Sequence, residues 1–298
     1  MTLVVAWTRR VSDCEELIVA SDSRLSGGRN IDCCQKIFQL PRSDSFICFA
    51  GETAFAYPLV HLAHSAISDY QRAQDRSLDL RDLRGHVRRI LNEAMEHVSS
   101  PVDQLLQPEK GTQILIGGWS WQLKRFAMWR LEYQKDQGFA ETRASRWYGD
   151  RAMVLFAGDW ATIARDRLVR TMQARFGAWP TDDKPVCFDW EPFEVLRDLL
   201  RAESAKENST IGGPPQMIKV YEHLNCRKFG VWWPNRTGRI SVAGRTLLSY
   251  ETPECWIFDP DSFMTTHARI SPHFRESVDP LDQVRDRLIS VLRLRAGA

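Results

Sequence analysis

Thr2-Leu3-Val4-Val5-Ala6-Trp7-Thr8, Glu16-Leu17-Ile18-Val19-Ala20-Ser21-Asp22-Ser23-Arg24, Cys34-Gln35-Lys36-Ile37-Phe38 and Phe46-Ile47-Cys48-Phe49-Ala50-Gly51-Glu52-Thr53 decide the reading of this chain. Each is a short apolar run rich in β-branched and aromatic residues, the composition of a buried strand. Each also carries one residue of chemical or conformational interest: Thr2, Asp22, Lys36 and Gly51. Thr2 directly follows Met1. Aminopeptidases trim Met before small residues, so trimming makes Thr2 the new N-terminus. A threonine there carries its own base, because the free α-amine lies beside the hydroxyl that must lose a proton. Such an amine has an unperturbed pKa of about 7.7–8.0, close to working pH.

The order and approximate spacing of these motifs resemble the proteasome β-subunit and HslV group of N-terminal nucleophile (Ntn) hydrolases. Members of that group open with Thr-Thr-Ile-Val. An Ala-x-Asp-x-Arg strand end, a Lys-Val/Ile segment and an Ala-Gly-x-x-Ala turn into a helix follow. The matching residues here are Thr2, Ala20 to Arg24, Lys36-Ile37 and Ala50 to Ala54, with a few extra residues in the first hairpin. The resemblance implies that Thr2 is the nucleophile and that Lys36 sits near its hydroxyl, favouring loss of its proton. It implies that Asp22 pairs with Lys36 and that the Gly51 N–H meets the developing oxyanion. Arg24 reads as a supporting residue. Leu25, Cys34, Phe49 and Thr53 are expected to line the pocket for the residue before the scissile bond. With Phe49 at the floor, that pocket should take small neutral side chains.

Two further family elements depart from the pattern. The Gly-Ser-Gly after a late strand is replaced by Gly158-Asp159-Trp160. The Asp-x-x-Ser-Gly-Gly before the last core strand is replaced by Asn208-Ser209-Thr210-Ile211-Gly212-Gly213. Asp159, Asn208 and Ile211 thus stand where the family has Ser, Asp and Ser supporting the terminal amine. A carboxylate has moved from one loop to the other, so Asp159 and Asn208 join the candidate catalytic set. Alternatively, Asp159 caps the helix that begins near Trp160 and points away from Thr2.

The resemblance implies a threonine-type peptidase acting on polypeptides inside a homo-oligomeric ring. Such rings are usually fed by an ATP-driven unfoldase, and no cofactor or metal is expected. Two alternatives stay open: an inactive structural or interaction subunit of the same fold, and an Ntn amidohydrolase acting on a small molecule.

The fold expected is α+β, a four-layer αββα sandwich. Strands are read at 2–8, 16–22, 35–40 and 45–50, then a helix around Leu59 to Tyr70, with Pro58 in its first turn. A second helix spans 80–98. Strands follow at 112–118, 122–133, 143–148 and 152–157, helices at 160–176 and 192–205, and a strand at 216–221. Residues 1–225 are read as the core. Residues 226–298 add strands at 229–234, 239–242 and 255–258. A C-terminal helix capped by Asp279, with Pro280 at its first position, completes this extension, which is expected to pack on the core.

Composition fits a soluble protein with no charged partner. Forty Lys and Arg against 38 Asp and Glu leave a net charge of +2, no footprint for nucleic acid or an anionic membrane surface. No apolar run reaches the roughly 18 residues that a membrane span needs, and no secretory signal is evident. The odd count of seven cysteines, mostly in apolar runs, suits free thiols in a reducing cytoplasm. His61 and His64 share a helix face but lack a third metal ligand. Trp232-Trp233 reads as core or as a partner-docking patch.

Overall fold

A computed structural model describes residues 2–26, 29–98, 111–134, 137–143, 146–148, 152–177, 187–204, 206, 208–223 and 225–267. The chain is mixed α+β. Its opening hairpin pairs β1 (Val4–Val11) with β2 (Cys14–Ser21), Val4 opposite Ser21 and Val11 opposite Cys14. Two short strands, β3 (Leu25–Ser26) and β4 (Asn30–Ile31), pair with each other, and β5 (Ile37–Gln39) and β6 (Ser45–Ala50) follow. After the helices α1 (Thr53–Ser68), α2 (Gln71–Gln74) and α3 (Leu80–Glu96) come β7 (Gln113–Ser120), β8 (Arg125–Gln134), β9 (Gly138–Arg143), β10 (Arg146–Tyr148) and β11 (Ala152–Ala157). The helices α4 (Ala161–Phe176) and α5 (Glu191–Glu203) lead to β12 (Gln216–Tyr221) and β13 (Asn225–Trp233). The last described strands are β14 (Arg239–Val242), β15 (Arg245–Thr246), β16 (Trp256–Phe258) and β17 (Thr265–His267).

Two sheets organise these strands. The larger runs β10-β11-β1-β2-β12-β13-β14-β15, with β16 and β17 joined through β13; the smaller runs β5-β6-β7-β8-β9. Pairing is antiparallel throughout except between β13 and β16. Strand alternation then sorts the apolar side chains into three cores. Leu3, Val5, Trp7, Ile18 and Ala20 point to one side, where they meet Leu168 and Met172 of α4 and Phe193, Leu196 and Leu199 of α5. Their neighbours Val4, Ala6, Leu17 and Val19 point to the other side and meet Phe46, Cys48, Ala50, Leu115 and Phe126 of the smaller sheet. That sheet turns Ile47, Phe49, Ile114 and Ile116 outward onto Leu59 and Ala63 of α1 and Leu83 and Val87 of α3.

The extension does not break from the rest. β13 pairs with β12 from Asn225 to Phe229 and with β14 from Gly230 to Trp233, so residues beyond 225 continue the larger sheet. The expected helix capped by Asp279 lies outside the described residues.

Several local expectations are corrected. α1 begins at Thr53, so Pro58 sits in its second turn. Pro58 denies the Ala54 carbonyl its partner, and Ala54 is exposed, so water can satisfy that oxygen. Gly138–Arg143 forms a strand where the sequence reading assigned none before residue 143; it closes the smaller sheet against β8, with Tyr133 opposite Phe139. Trp160, not Asp159, occupies the N-cap of α4, and no side chain caps that helix. Trp232 and Trp233 are both half-buried, with the Arg201 guanidinium over the Trp233 ring.

Candidate active site

β1 and β2 bring their ends together, and that pairing sets the site. Asp22 N–H donates to the Leu3 carbonyl at 3.2 Å, and Leu3 N–H donates back to Asp22 Oδ1 at 3.1 Å. Thr2 is therefore fixed beside Asp22 with almost no exposed surface. From the segment entering β5, Lys36 reaches in. Its Nζ donates to Thr2 Oγ1 at 2.9 Å and to Asp22 Oδ1 at 2.8 Å. Both members of the ion pair are fully buried.

The Asp22 carboxylate is saturated with donors. Oδ1 accepts from Leu3 N–H and Lys36 Nζ, and Oδ2 accepts from the N–H groups of Arg24 at 3.2 Å and Gly212 at 3.3 Å. Four donors fix the orientation of the carboxylate. Burial pushes Lys36 below the usual lysine range, and Asp22 pulls it back up; smaller upward pulls come from Cys34 and Asp159. The amine thus loses its proton more readily than a free lysine, and Asp22 limits that effect.

Gly51 follows β6 with φ +117°, a conformation that disfavours any side chain. A Cβ there would come within 2.8 Å of Thr112 Cα. Among the described residues, no group accepts from the Gly51 N–H. Gly158, at φ +96°, lies so close to Thr2 that a Cβ would collide with its carbonyl oxygen, and the same Cβ would lie 3.4 Å from that of Ala50. Thr2, the end of β6 and the turn after β11 therefore converge. Gln113 secures this turn by accepting from Gly158 N–H at 3.0 Å.

No protein-family model matches this chain, and no match is found among the curated proteins.

Asp159 is exposed, and its charge reaches Lys36. Asn208 is also exposed, and its side chain makes no hydrogen bond among the described residues. Ile211 is fully buried in the core that holds α4 and α5. Between Asn208 and Ile211, Ser209 turns its hydroxyl onto the Ile211 carbonyl at 2.9 Å. Arg24 is structural: it makes a two-point pair with Asp32, at 2.5 and 2.7 Å, and donates to the Ser209 carbonyl.

Of the expected pocket residues, Phe49 is fully buried, and Leu25, Cys34 and Thr53 are half-buried. Leu25 packs on the same core as Phe49. Tyr57, which the sequence reading did not single out, stands edge-on to Phe49 at 5.6 Å and to Phe38 at 5.9 Å. It is half-buried, one helical turn beyond Thr53. Burial raises its hydroxyl above the usual tyrosine range, with a smaller push from Cys34.

Gln216 was also missed. Its Oε1 accepts from the N–H groups of Lys36 at 2.9 Å and Ile37 at 3.3 Å. Its Nε2 donates to the carbonyls of Cys34 at 2.8 Å and Asp22 at 3.1 Å. One buried amide thus ties the Asp22 segment to the Lys36 segment. Only the register of β12 against β2, Gln216 opposite Ser21, brings it there. Trp160 similarly ties the loop after β11 to the loop before β12, its Nε1 donating to Thr210 Oγ1 at 2.8 Å.

Among the described residues there is no cluster of three or more metal-ligating side chains, and no helix is long and apolar enough to cross a membrane.

Proposed function

We propose that this chain is a threonine-type peptidase of the Ntn-hydrolase kind, built as a four-layer αββα sandwich, with Thr2 as nucleophile after removal of Met1. One observation carries this reading: Lys36 Nζ lies within hydrogen-bond distance of both Thr2 Oγ1 and Asp22 Oδ1 in a buried site. A structural salt bridge needs no hydroxyl at a third corner. The three separate cores, helices outside each sheet and a shared core between sheets, support the layer order.

The chemistry follows from the placement. The freed α-amine of Thr2 takes the Oγ1 proton while the Lys36 charge stabilises the alkoxide being formed. Oγ1 attacks the peptide carbonyl, and the oxyanion accepts from Gly51 N–H. Collapse breaks the C–N bond, and the Thr2 ammonium protonates the departing amine. Water, deprotonated by the same amine, then cleaves the ester and restores Thr2. The reading extends to a homo-oligomeric ring acting on polypeptides delivered by an ATP-driven unfoldase, in the cytoplasm.

An inactive subunit of the same fold is the second reading, and Ile211 favours it. Its side chain fills the core where the family has a hydroxyl, and the neighbouring Ser209 hydroxyl is committed to a backbone carbonyl. Intact mass and peptide hydrolysis on the same sample test both. The peptidase reading expects a chain lacking Met1 that cleaves N-capped peptides and is acylated at Thr2 by an activated ester. A trimmed chain that neither cleaves nor is acylated supports the inactive subunit.

A further inference from the structure

Cys33 and Cys34 are adjacent in sequence and lie directly before the segment that carries Lys36. Cys33 is exposed and Cys34 half-buried, so solvent reaches the pair from one side. The backbone around them is tightly held. Cys34 N–H donates to the Ser23 carbonyl at 3.1 Å, and the Cys34 carbonyl accepts from Gln216 Nε2. The other end of that amide fixes Lys36 N–H. Gly244, in the turn between β14 and β15, closes the remaining space: a Cβ there would come within 2.9 Å of the Cys34 oxygen. Cys34 and Lys36 therefore share one clamp, with little room for either to move alone.

We propose that Cys33 and Cys34 form a dithiol modification site at the rim of the Thr2 site, closed reversibly by peroxide or by a trivalent arsenical, and that closure switches the site off. The dithiol chemistry stands on its own; the loss of activity rests on Thr2 being the nucleophile. With peroxide, the exposed Cys33 thiolate attacks an oxygen, the O–O bond breaks, and one water departs after protonation. The resulting sulfenic acid is attacked at sulfur by the Cys34 thiolate; the S–S bond forms and the second water leaves. Two thiols are oxidised and one peroxide is reduced. With an arsenical oxide, two As–S bonds replace the As–O bond and one water is released.

Closure must move the backbone. Neighbouring Cα atoms are about 3.8 Å apart, whereas disulfides ordinarily join Cα atoms about 4.4–6.8 Å apart. The ring therefore twists the peptide between the two residues, whose N–H is the donor to Ser23. That twist disturbs the Cys34 carbonyl, its bond to Gln216 and, through the same amide, Lys36. A displacement of about 1 Å at a catalytic group costs on the order of a hundredfold in rate.

The test uses the full chain, reduced with dithiothreitol, treated with hydrogen peroxide, quenched with an alkylating agent and digested with trypsin. The peptide ending at Lys36 should lose two hydrogens and take up no alkyl group, and dithiothreitol should reverse this. Hydrolysis by the oxidised chain should fall about a hundredfold and return on reduction. One equivalent of phenylarsine oxide should inhibit similarly, with reversal by 2,3-dimercaptopropanol. Cys33→Ser should keep the basal rate and lose both sensitivities. The proposal is overturned if both thiols remain alkylatable at peroxide doses that oxidise the exposed Cys14, or if the disulfide forms and hydrolysis is unchanged. A reduced chain with no hydrolysis refutes the Thr2 reading and the off-switch with it, and the peptide mass then decides the dithiol site alone.

Discussion

Replacing Asp22 with asparagine removes the charge that holds Lys36 protonated and disturbs all four of the hydrogen bonds at that carboxylate. The asparagine oxygen can face either Lys36 and Leu3 or Arg24 and Gly212, and its NH2 group then confronts two donors. Unsatisfied donors cost about 1–3 kcal/mol, and a buried cation stripped of its partner costs about 3–5 kcal/mol. The second cost depends on pH. Burial already sets Lys36 below its usual value of 10.5, and Asp22 is the largest influence opposing burial. Without Asp22 the folded-state pKa falls further. Between that lowered value and the unfolded value, the unfolded chain binds more protons, so stability rises with pH. The destabilisation of Asp22→Asn relative to the parent should thus be largest near pH 7. It should shrink as pH rises through the parent's Lys36 pKa, leaving about the hydrogen-bond part, 1–3 kcal/mol. Urea unfolding of both chains at several values from about pH 7 to 10 reads this directly. In a Lys36→Met background the same substitution should show no such trend. A cost for Asp22→Asn that stays constant over that range would refute the account of Lys36 as a buried cation held charged by Asp22.

Thr2→Ala should abolish peptide hydrolysis with an unchanged unfolding midpoint, and Thr2→Ser should retain part of the rate because amine and hydroxyl both survive; full activity of the alanine chain excludes the threonine mechanism. Phe49→Ala should broaden cleavage toward larger side chains in a peptide-library profile, at a stability cost of about 3–5 kcal/mol for a buried aromatic; an unchanged profile removes Phe49 from the pocket floor. Asp159→Ser deletes a negative charge that raises Lys36, so the alkaline limb of the pH–rate profile, where Lys36 loses its proton, should move to lower pH, with Asn208→Asp in the same chain moving it back; an unmoved limb shows that Asp159 has no hold on Lys36. Gln216→Met keeps the volume and removes all four hydrogen bonds of the clamp, so kcat should fall with little change in KM, and Gln216→Glu should fail to rescue it because a carboxylate cannot donate to the Asp22 and Cys34 carbonyls; a normal kcat in the methionine chain shows that the clamp does not position Lys36.

What could be read from the sequence follows from how local each feature is. The strands bearing Thr2, Asp22, Lys36 and Gly51 announce themselves by composition, and their pairing puts Thr2 against Asp22 with no information beyond the hairpin. Gly138–Arg143 was harder to see: Gly138-Phe139-Ala140-Glu141-Thr142 offers a single large apolar residue, and the strand exists because β8 supplies a partner edge and Phe139 a place in the core. Gln216 was unreadable for a stronger reason. An amide before an apolar run carries no chemical signature, and all four of its partners lie about 180 or more residues away. The larger sheet creates its role by setting β12 beside β2. The same step explains why the altered loop need not empty the site. Gly212, at the start of the approach to β12, still donates to Asp22 and still accepts from Ser23 N–H. The backbone of that loop holds Asp22 through Gly212 independently of the Asn208 and Ile211 side chains. Asp159, on the neighbouring loop, is a carboxylate whose field reaches Lys36. The pH response of Asp159→Ser therefore separates a site rebuilt around a relocated charge from one that kept its frame and lost its turnover.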